Sequence, residues 1–278
     1  GIPYSLKDLT PTKGIRTTRG SLLYKDWVPE EDAPVVESLR AAGGVLLGKT
    51  NTPEMGWKGD SGNLVVGPTH NPWKRGRTAG GSSGGAAAAV VAGMGPLAQG
   101  SDGAGSIRIP ASFSGAFGFK PSWGRVPQFP PSAVELLSHM GPITRTVGDA
   151  ALMMAVLAGP DPRDRTTIPN DIDFEKVTKG DLRGLVVGWS PDLGYVPVAS
   201  EVDVLCQRSA ARFEELGCSV VELHPGLEDP YEEILDVIWT SAFAGMHLDD
   251  LDRVRTQLDP GLLQVIEAGA RYSAPQLA

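Results

Sequence analysis

Three serines set among glycines, Ser82, Ser83 and Ser106, are the residues of this chain whose type and spacing could do covalent chemistry. They lie in the stretch 78–122, TAGGSSGGAAAAVVAGMGPLAQGSDGAGSIRIPASFSGAFGFKPS. Glycine permits positive φ and close approach of the backbone, so this composition predicts a tight cradle around the hydroxyls. A flexible Gly/Ser linker is the alternative. It is disfavoured because valine, isoleucine and phenylalanine side chains run through the stretch.

A serine becomes a nucleophile only when a base takes its proton, and histidine is the usual base. Residues 81–85, GSSGG, match the G-x-S-x-G elbow of Ser-His-Asp hydrolases. That elbow needs an apolar strand directly before it, and residues 75–79, RGRTA, do not form one. The histidine-based mechanism therefore stays the second choice.

Lysine is the other candidate base, because burial lowers the pKa of its amine towards neutrality. Lys7 ends the apolar, strand-like run GIPYSLKD and is placed for such burial. Taken alone, a lysine at the end of a strand is more often solvated. The case for Lys7 as a base therefore depends on the serines.

The elements that would position these residues follow from periodicity and from helix-end signals. Asp32 is predicted to cap a helix with Pro34 in its first turn, and Thr146 to cap an apolar helix through a capping box. The predicted strands are 1–8, 45–47, 97–100, 185–189 and 218–223, with 45–47 and 185–189 buried. The predicted helices are 34–43, 86–92, 147–158, 201–216, 228–246 and 251–270, with 107–119 a helix or a turn.

The residues Gly43, Gly48, Lys49 and Thr50 also satisfy the phosphate-loop pattern G-x-x-x-x-G-K-[ST]. In a phosphate loop the intervening residues form a turn and a helix follows. Here the intervening residues include Val-Leu-Leu, which favours a strand, and Pro53 follows. Nucleotide binding is therefore rejected.

Composition narrows the classes of function further. The net charge is −8 and no lysine or arginine cluster offers a phosphate-tracking surface, so nucleic acid is not expected as a direct partner. The two cysteines and four scattered histidines have no metal-ligand spacing. No apolar run approaches about 20 residues, so no membrane span is expected, and a cytoplasmic location is the default.

Several separate motifs, in order, resemble the amidase signature family. They are GIPYSLKD at 1–8, GKTNTPE at 48–54, GGSSGG at 80–85, SDGAGSIRIPAS at 101–112 and GFKPS at 118–122. The resemblance is strong over about residues 1–160 and general beyond them. It implies an α/β fold, layered α/β/α, with a central mixed, mostly parallel sheet flanked by helices. We expect one domain of this kind over 1–278, incomplete at both ends, since family members are longer.

The resemblance also assigns roles. Ser106 is implied as the nucleophile, Ser82 as the bridging serine and Lys7 as the general base. The peptide between Ser82 and Ser83 is expected to be cis.

The implied oxyanion hole is made by the backbone N–H groups of Gly103, Ala104, Gly105 and Ser106. Ala104 departs from the family pattern, where glycine is usual, and its N–H is expected to serve if its φ is negative. The supporting residues are Ser83, Asp102 and Arg108, where orientation of the cradle and a structural ion pair both stay open.

The implied activity is hydrolysis of a small-molecule carboxylic amide through a serine acyl-enzyme, with no metal or organic cofactor. Two alternatives stay open: a glutaminase-type amidotransferase subunit that acts on tRNA-linked amino acids, and an inactive fragment of an amidase. A homodimer and the identity of the amide also stay open. Six apolar residues are candidates for either a pocket or the core: Phe129, Leu136, Leu137, Met140, Trp239 and Phe243.

Overall fold

The helices and strands largely follow the apolar pattern of the sequence over residues 1–277, the part that this computed structural model describes, with 232 and 233 in backbone only. The strands are β1 Pro3–Lys7, β2 Val45–Thr50, β3 Leu97–Asp102, β4 Phe117–Gly118, β5 His139–Thr144, β6 Val186–Trp189 and β7 Ser219–Glu222. The helices are α1 Pro34–Ala41, α2 Gly84–Val91, α3 Arg108–Ser114, α4 Val147–Leu157, α5 Phe174–Val177, α6 Ser200–Glu215, α7 Asp236–His247, α8 Leu251–Val254, α9 Pro260–Gly269 and α10 Ala274–Leu277.

The chain divides into two units. The first comprises Gly1–Thr178 and the chain from Trp239 onward, and the second comprises Lys179–Ile238. Every residue singled out above for chemistry lies in the first unit. The expectation of one domain over 1–278 stays a prediction.

The first unit is built on a five-stranded mixed sheet in the order β2-β1-β3-β5-β4. β1 pairs in parallel with β2 on one side and with β3 on the other, while β5 runs antiparallel to both β3 and β4. The fold class predicted from the resemblance is confirmed. Because β1 is hydrogen-bonded on both edges, its C-terminal residue, Lys7, ends inside the sheet.

Apolar side chains cover both faces of this sheet. One cluster joins Tyr4 and Leu6 of β1 to α1 and α4, and a second joins Ala98 and Ile143 to α2 and to Ile107, the residue before α3. Burying one such side chain fully contributes about 1.5–3 kcal/mol to the free energy of unfolding. Lys7 therefore lies between two apolar layers.

The predicted helix-end signals are partly confirmed. Thr146 caps α4, its side chain accepting from the Asp149 N–H at 3.1 Å. Pro34 lies in the first turn of α1, but the cap residue is Ala33, without a side-chain hydrogen bond. The prediction that Asp32 caps was wrong, because its carboxylate accepts instead from the Lys13 N–H at 2.7 Å and pairs with Arg40 at 2.6 Å.

Two strands predicted to be buried are exposed. In β2, Val45 and Leu47 are 50% and 54% exposed, because β2 is at the edge of the five-stranded sheet. In β6, Val186 is 73% exposed, because the sheet of the second unit has only two strands, β6 and β7, among the described residues. An apolar run predicts a strand here, but it does not show which of its faces is covered.

The strand–helix–strand unit predicted after Gly184 is confirmed as β6–α6–β7, with the two strands parallel. The single helix predicted over 228–246 begins instead as a π-helical turn, Tyr231–Leu235, before α7. The helix predicted over 251–270 is broken before α9, where Asp259 caps the helix and Pro260 occupies its first turn. Within residues 1–277, no helix is long and apolar enough to cross a membrane.

Candidate active site

The side chain of Lys7 is fully buried at the end of β1. Its Nζ donates to Ser82 Oγ at 2.6 Å and to Ser101 Oγ at 3.0 Å. Two of the residues predicted from the sequence, Lys7 and Ser82, are therefore in direct contact although 75 positions separate them. The expectation that Lys7 is buried is confirmed.

Burial lowers the pKa of the Lys7 amine to about 7, and the carboxylate of Asp102 opposes that shift. A desolvated ammonium is costly, so the neutral amine is favoured. At neutral pH a large fraction of Lys7 is therefore unprotonated and able to accept a proton.

Ser82 follows a cis peptide bond, which joins Gly81 to Ser82. The expected position, between Ser82 and Ser83, was wrong by one residue. A Cβ on Gly81 would come within 2.5 Å of the Asp60 backbone, so this position needs a glycine. Ser61 Oγ supports the turn by donating to the carbonyls of Gly80 and Ser82 at 3.0 and 3.1 Å.

Ser83 connects its own segment of the chain to the segments that carry Ser101 and Ser106. Its N–H donates to the Ser106 carbonyl at 3.1 Å, and its Oγ donates to the Ser101 carbonyl at 3.1 Å. It is fully buried and precedes the first residue of α2. Ser83 therefore holds the backbone next to Ser82 against the backbone at Ser101 and Ser106.

The turn that carries Ser106 is organised by Asp102, a fully buried residue at the end of β3. Its carboxylate accepts from the N–H groups of Gly105 at 2.7 Å and Ile107 at 3.1 Å. The Arg108 guanidinium adds two further bonds at 2.9 Å. Gly105 has φ +113, and a Cβ there would lie 2.7 Å from Ile109 Cδ1, so the turn requires glycine at this position.

Burial alone would raise the pKa of Asp102, but the hydrogen bonds from Arg108 and Gly105 outweigh it and lower that pKa to about 2. Asp102 is therefore ionised throughout the neutral range. Asp102 and Arg108 therefore form a structural ion pair, and the same pair orients the turn before Ser106. The two interpretations left open for these residues are compatible.

The four N–H groups predicted as oxyanion donors stay a prediction. Ala104 has a negative φ, so the condition placed on this residue is met. The N–H of Gly105 is already engaged by Asp102, which leaves the N–H groups of Gly103, Ala104 and Ser106 to carry the prediction.

A cavity of about 150 Å³ opens beside the serines and is lined by Ser82, Ser106, Ser101 and Gly103. Four of the six apolar candidates line it: Phe129, Met140, Trp239 and Phe243. Leu136 is instead 71% exposed. Among the side chains that the structure describes, no group of three or more His, Cys, Asp or Glu is arranged to hold a metal ion.

The amidase family model matches residues 1–271 of this chain. The chain belongs to the amidase family. An acylamidase from Rhodococcus erythropolis is 46% identical over 276 residues, a match that covers 98% of this chain and 58% of the relative. A glutamyl-tRNA(Gln) amidotransferase subunit from Moorella thermoacetica is 44% identical over 219 residues, covering 78% of this chain and 45% of the relative.

Among solved structures, a bacterial aryl acylamidase of the amidase signature family superposes with a TM-score of 0.91 at 34% identity, covering 99% of this chain and 60% of that one. The chain therefore spans about half to three fifths of the length of these amidase relatives. The family resemblance predicted from the motifs is confirmed.

Sequence reasoning missed several residues of this candidate site. Glu54 is buried, its carboxylate accepting from Ser21 Oγ at 2.5 Å and from the Asp259 N–H at 2.6 Å. It anchors the turn that places Gly56 against Ser82, where an added Cβ would lie 3.3 Å from Oγ. The GKTNTPE motif, which ends on this glutamate, was the signal that could have identified it.

We expect Asp102→Asn to lower kcat by about 10–100-fold, because the turn before Ser106 loses its charged acceptor and small misplacements are costly. The change also removes a negative charge that raises the pKa of Lys7, so the acid limb of the pH–rate profile should move to lower pH. A pH profile of kcat/KM for the variant and for the exposed control Asp26→Asn measures both effects. A limb that stays in place or moves to higher pH would contradict the assignment.

Proposed function

We propose that this chain hydrolyses a carboxylic amide to the acid and ammonia or an amine through an acyl-enzyme on Ser106. The observation that carries the proposal is the 2.6 Å contact between the buried Lys7 Nζ and Ser82 Oγ. It lies beside a cavity that Ser106 also lines. Any buried amine needs hydrogen-bond partners, but a structural lysine has no reason to find its partner at the edge of a cavity that a second serine lines. A general base for Ser106 has to lie there.

In the proposed mechanism Ser106 Oγ attacks the amide carbonyl carbon. Its proton passes to Ser82 Oγ, while the Ser82 proton passes to Lys7 Nζ. The carbonyl oxygen becomes an oxyanion, stabilised by the backbone N–H groups of Gly103, Ala104 and Ser106, a type of contact worth about 3–4 kcal/mol each.

The carbon–nitrogen bond then breaks, and the proton held by Lys7 returns through Ser82 to the leaving nitrogen. The amine departs and Ser106 carries the acyl group as an ester. Water attacks the ester under the same base, the acid is released and Ser106 regains its proton. Atoms and charge balance without a metal or an organic cofactor.

The pKa of the base is matched to this role. A general base works best when its pKa lies near the working pH, and burial brings the pKa of Lys7 to about 7. An exposed lysine would be protonated at neutral pH and unable to accept. The apolar layers around β1 therefore contribute to the proposed catalysis, because they bury Lys7 and so lower its pKa.

The relatives support hydrolysis of amides: one is named an acylamidase, and a superposable structure is an aryl acylamidase. An amide with an aromatic or alkyl group also suits the apolar cavity wall of Phe129, Met140 and Trp239. We therefore propose small-molecule amides with an apolar part as the substrate class.

A glutaminase-type amidotransferase subunit is the second candidate, because the Moorella relative carries an amidotransferase name. Free glutamine carries an ammonium group, for which a site would offer an acidic partner. No aspartate or glutamate is among the described residues that line the cavity. The acylamidase reading is therefore preferred.

The experiment is a direct assay of the purified chain with a chromogenic anilide and with glutamine, side by side. We expect release of the arylamine and little ammonia from glutamine. Preferential release of ammonia from glutamine would favour the amidotransferase reading. No hydrolysis of either amide by a cooperatively folded protein would favour the inactive fragment.

A further inference from the structure

The wall of the cavity carries one cation. Of the described residues that line it, Arg19 alone has a charged side chain at neutral pH. The rest of the lining is apolar or neutral, and it includes both Ser82 and Ser106. A ligand in this cavity therefore faces a positive charge on a background with no acidic side chain.

The position of Arg19 is fixed by its backbone. Its N–H donates to the Asp8 carbonyl at 3.0 Å, and its own carbonyl accepts from the Met55 N–H at 2.8 Å. Its φ is +53, an uncommon conformation for a residue with a side chain. A conformation that is disfavoured for arginine is kept here, so the fold holds this residue against the cavity.

The guanidinium is oriented by two aromatic rings. Its Cζ lies 4.9 Å from the centre of the Tyr24 ring and 4.6 Å from that of the Trp27 ring. Contacts of this type hold the plane of an arginine and leave the edge of its guanidinium open to further hydrogen bonds. The side chain is therefore pre-positioned.

Arg19 nevertheless has no anionic partner. Among the residues described, Arg108 and Arg163 each pair with a carboxylate, whereas no ion pair reaches Arg19. Its Nε is buried without a hydrogen-bond partner. Burial lowers the pKa of Arg19, an effect that Tyr24 partly offsets through its charge interaction and a side-chain hydrogen bond, yet arginine stays protonated at neutral pH. Tyr24 is a neutral partner at that pH, so the guanidinium still lacks an anion.

A buried, unpaired donor on a cation is costly and calls for an explanation. A purely structural arginine would be expected to find a carboxylate within the fold. Since Arg19 lines the cavity together with Ser82 and Ser106, the missing anionic partner is best supplied from outside the chain.

We propose that the amide bound in this cavity carries a carboxylate, which pairs with the Arg19 guanidinium while its apolar part packs against the aromatic wall. The inference rests on the proposed amide hydrolysis and narrows it to anionic amides. Guanidinium and carboxylate match in shape and form charge-assisted, often bidentate bonds.

The test uses two matched pairs of amides. Glutaric acid monoanilide is compared with 5-methylhexananilide, which replaces the carboxylate of the acyl part by an isopropyl group. 4-Acetamidobenzoate is compared with 4-isopropylacetanilide, which makes the same exchange in the leaving group. The proteins are wild type, Arg19→Met, Arg19→Lys and the control Arg16→Met, an exposed arginine whose Nη1 bonds the Lys25 carbonyl.

For at least one pair, wild type should prefer the anionic amide, and Arg19→Met should lower its kcat/KM for that amide by about 10–100-fold, mostly through KM. The neutral partner should change by less than about threefold in the same variant, and Arg19→Lys should lie between. Arg16→Met should match wild type. An equal loss on both members of each pair, or a wild-type preference for the neutral amides, would overturn the proposal.

A binding measurement separates this inference from the proposed activity. Calorimetry of glutaric acid monoanilide and of 4-acetamidobenzoate with Ser106→Ala and with Ser106→Ala/Arg19→Met needs no turnover. Binding of either probe that is lost with Arg19 would support the anionic site even if wild type hydrolyses nothing. Hydrolysis of both pairs at rates that do not depend on charge would support the proposed amide hydrolysis and contradict the proposed carboxylate site.

Discussion

Ser106→Ala is expected to reduce amide hydrolysis by about 10⁴–10⁶-fold in kcat, the scale seen when a serine nucleophile is removed. Ser106 is only 7% exposed and lines the cavity, and the proposed mechanism forms the acyl-enzyme on its Oγ. The substitution removes one hydroxyl and leaves the Ser106 carbonyl that accepts from the Ser83 N–H. The fold should therefore survive, and steady-state kinetics on a chromogenic anilide gives the loss.

The control for this variant is Ser209→Ala, an exposed hydroxyl on α6 that bonds the Leu205 carbonyl within its own helix. It should keep wild-type kinetics. Thermal unfolding of Ser106→Ala should lie within a few degrees of wild type. Turnover by Ser106→Ala within tenfold of wild type would remove Ser106 as the nucleophile.

Lys7→Met is expected to reduce kcat by about 10³-fold or more, because no other group takes the Ser82 proton. Methionine fills the same buried volume without the amine, so the apolar layers stay packed. The residual rate should lose its dependence on pH around neutrality, since the group that titrates at about 7 is gone. Measurement of kcat/KM across about pH 5.5–9 tests this.

The same substitution should change how stability depends on pH. The pKa of Lys7 is lowered from 10.5 to about 7 on folding, so between these values the unfolded chain binds a proton that the native chain does not. The free energy of unfolding of wild type therefore rises with pH across that window, by about 3–5 kcal/mol. Lys7→Met lacks this rise, so its stability relative to wild type should fall from pH 7 to pH 10.

Lys49→Met is the matched control, because Lys49 is a second buried lysine whose pKa burial lowers to about 8. Its Nζ donates to the Thr10 carbonyl and to Thr12 Oγ1, and so supports a loop rather than a serine. We expect Lys49→Met to lose stability and to keep the acid limb of the pH–rate profile. Equal catalytic losses in the two variants would mean that burial of any lysine, not the base, is what matters.

Features that depend on neighbours in the chain could be predicted from the sequence, whereas contacts between distant segments could not. The strand ending at Lys7 and the helix capped by Thr146 follow from periodicity and capping, which depend on neighbours in the chain. The fold class and the predicted roles of Lys7, Ser82 and Ser106 came from the resemblance of motifs to the family. The contact of Lys7 with Ser82 then depends on β1 lying inside the sheet, which no local signal states.

The predictions that were wrong also concern features that depend on contacts between distant segments. The exposure of Val45 and Val186 depends on which strands form edges, and an apolar run does not report that. The position of Asp32 before Pro34 predicts a helix cap, but Arg40 and the Lys13 N–H compete for its carboxylate. The sequence did not identify Arg19 and Ser101 as site residues, because a single arginine or serine belongs to no motif. Their place in the site is visible only from the cavity that they line.

The central claim is that a neutral, buried Lys7 activates Ser106 through Ser82, and the rate at which a fluorophosphonate labels the protein tests it most directly. Peptide mass spectrometry should place the label on Ser106. The labelling rate should rise with pH through an inflection near 7 in wild type and be slow and flat in Lys7→Met. A label on another serine, or a wild-type rate with no inflection between about pH 5.5 and 9, would contradict the account.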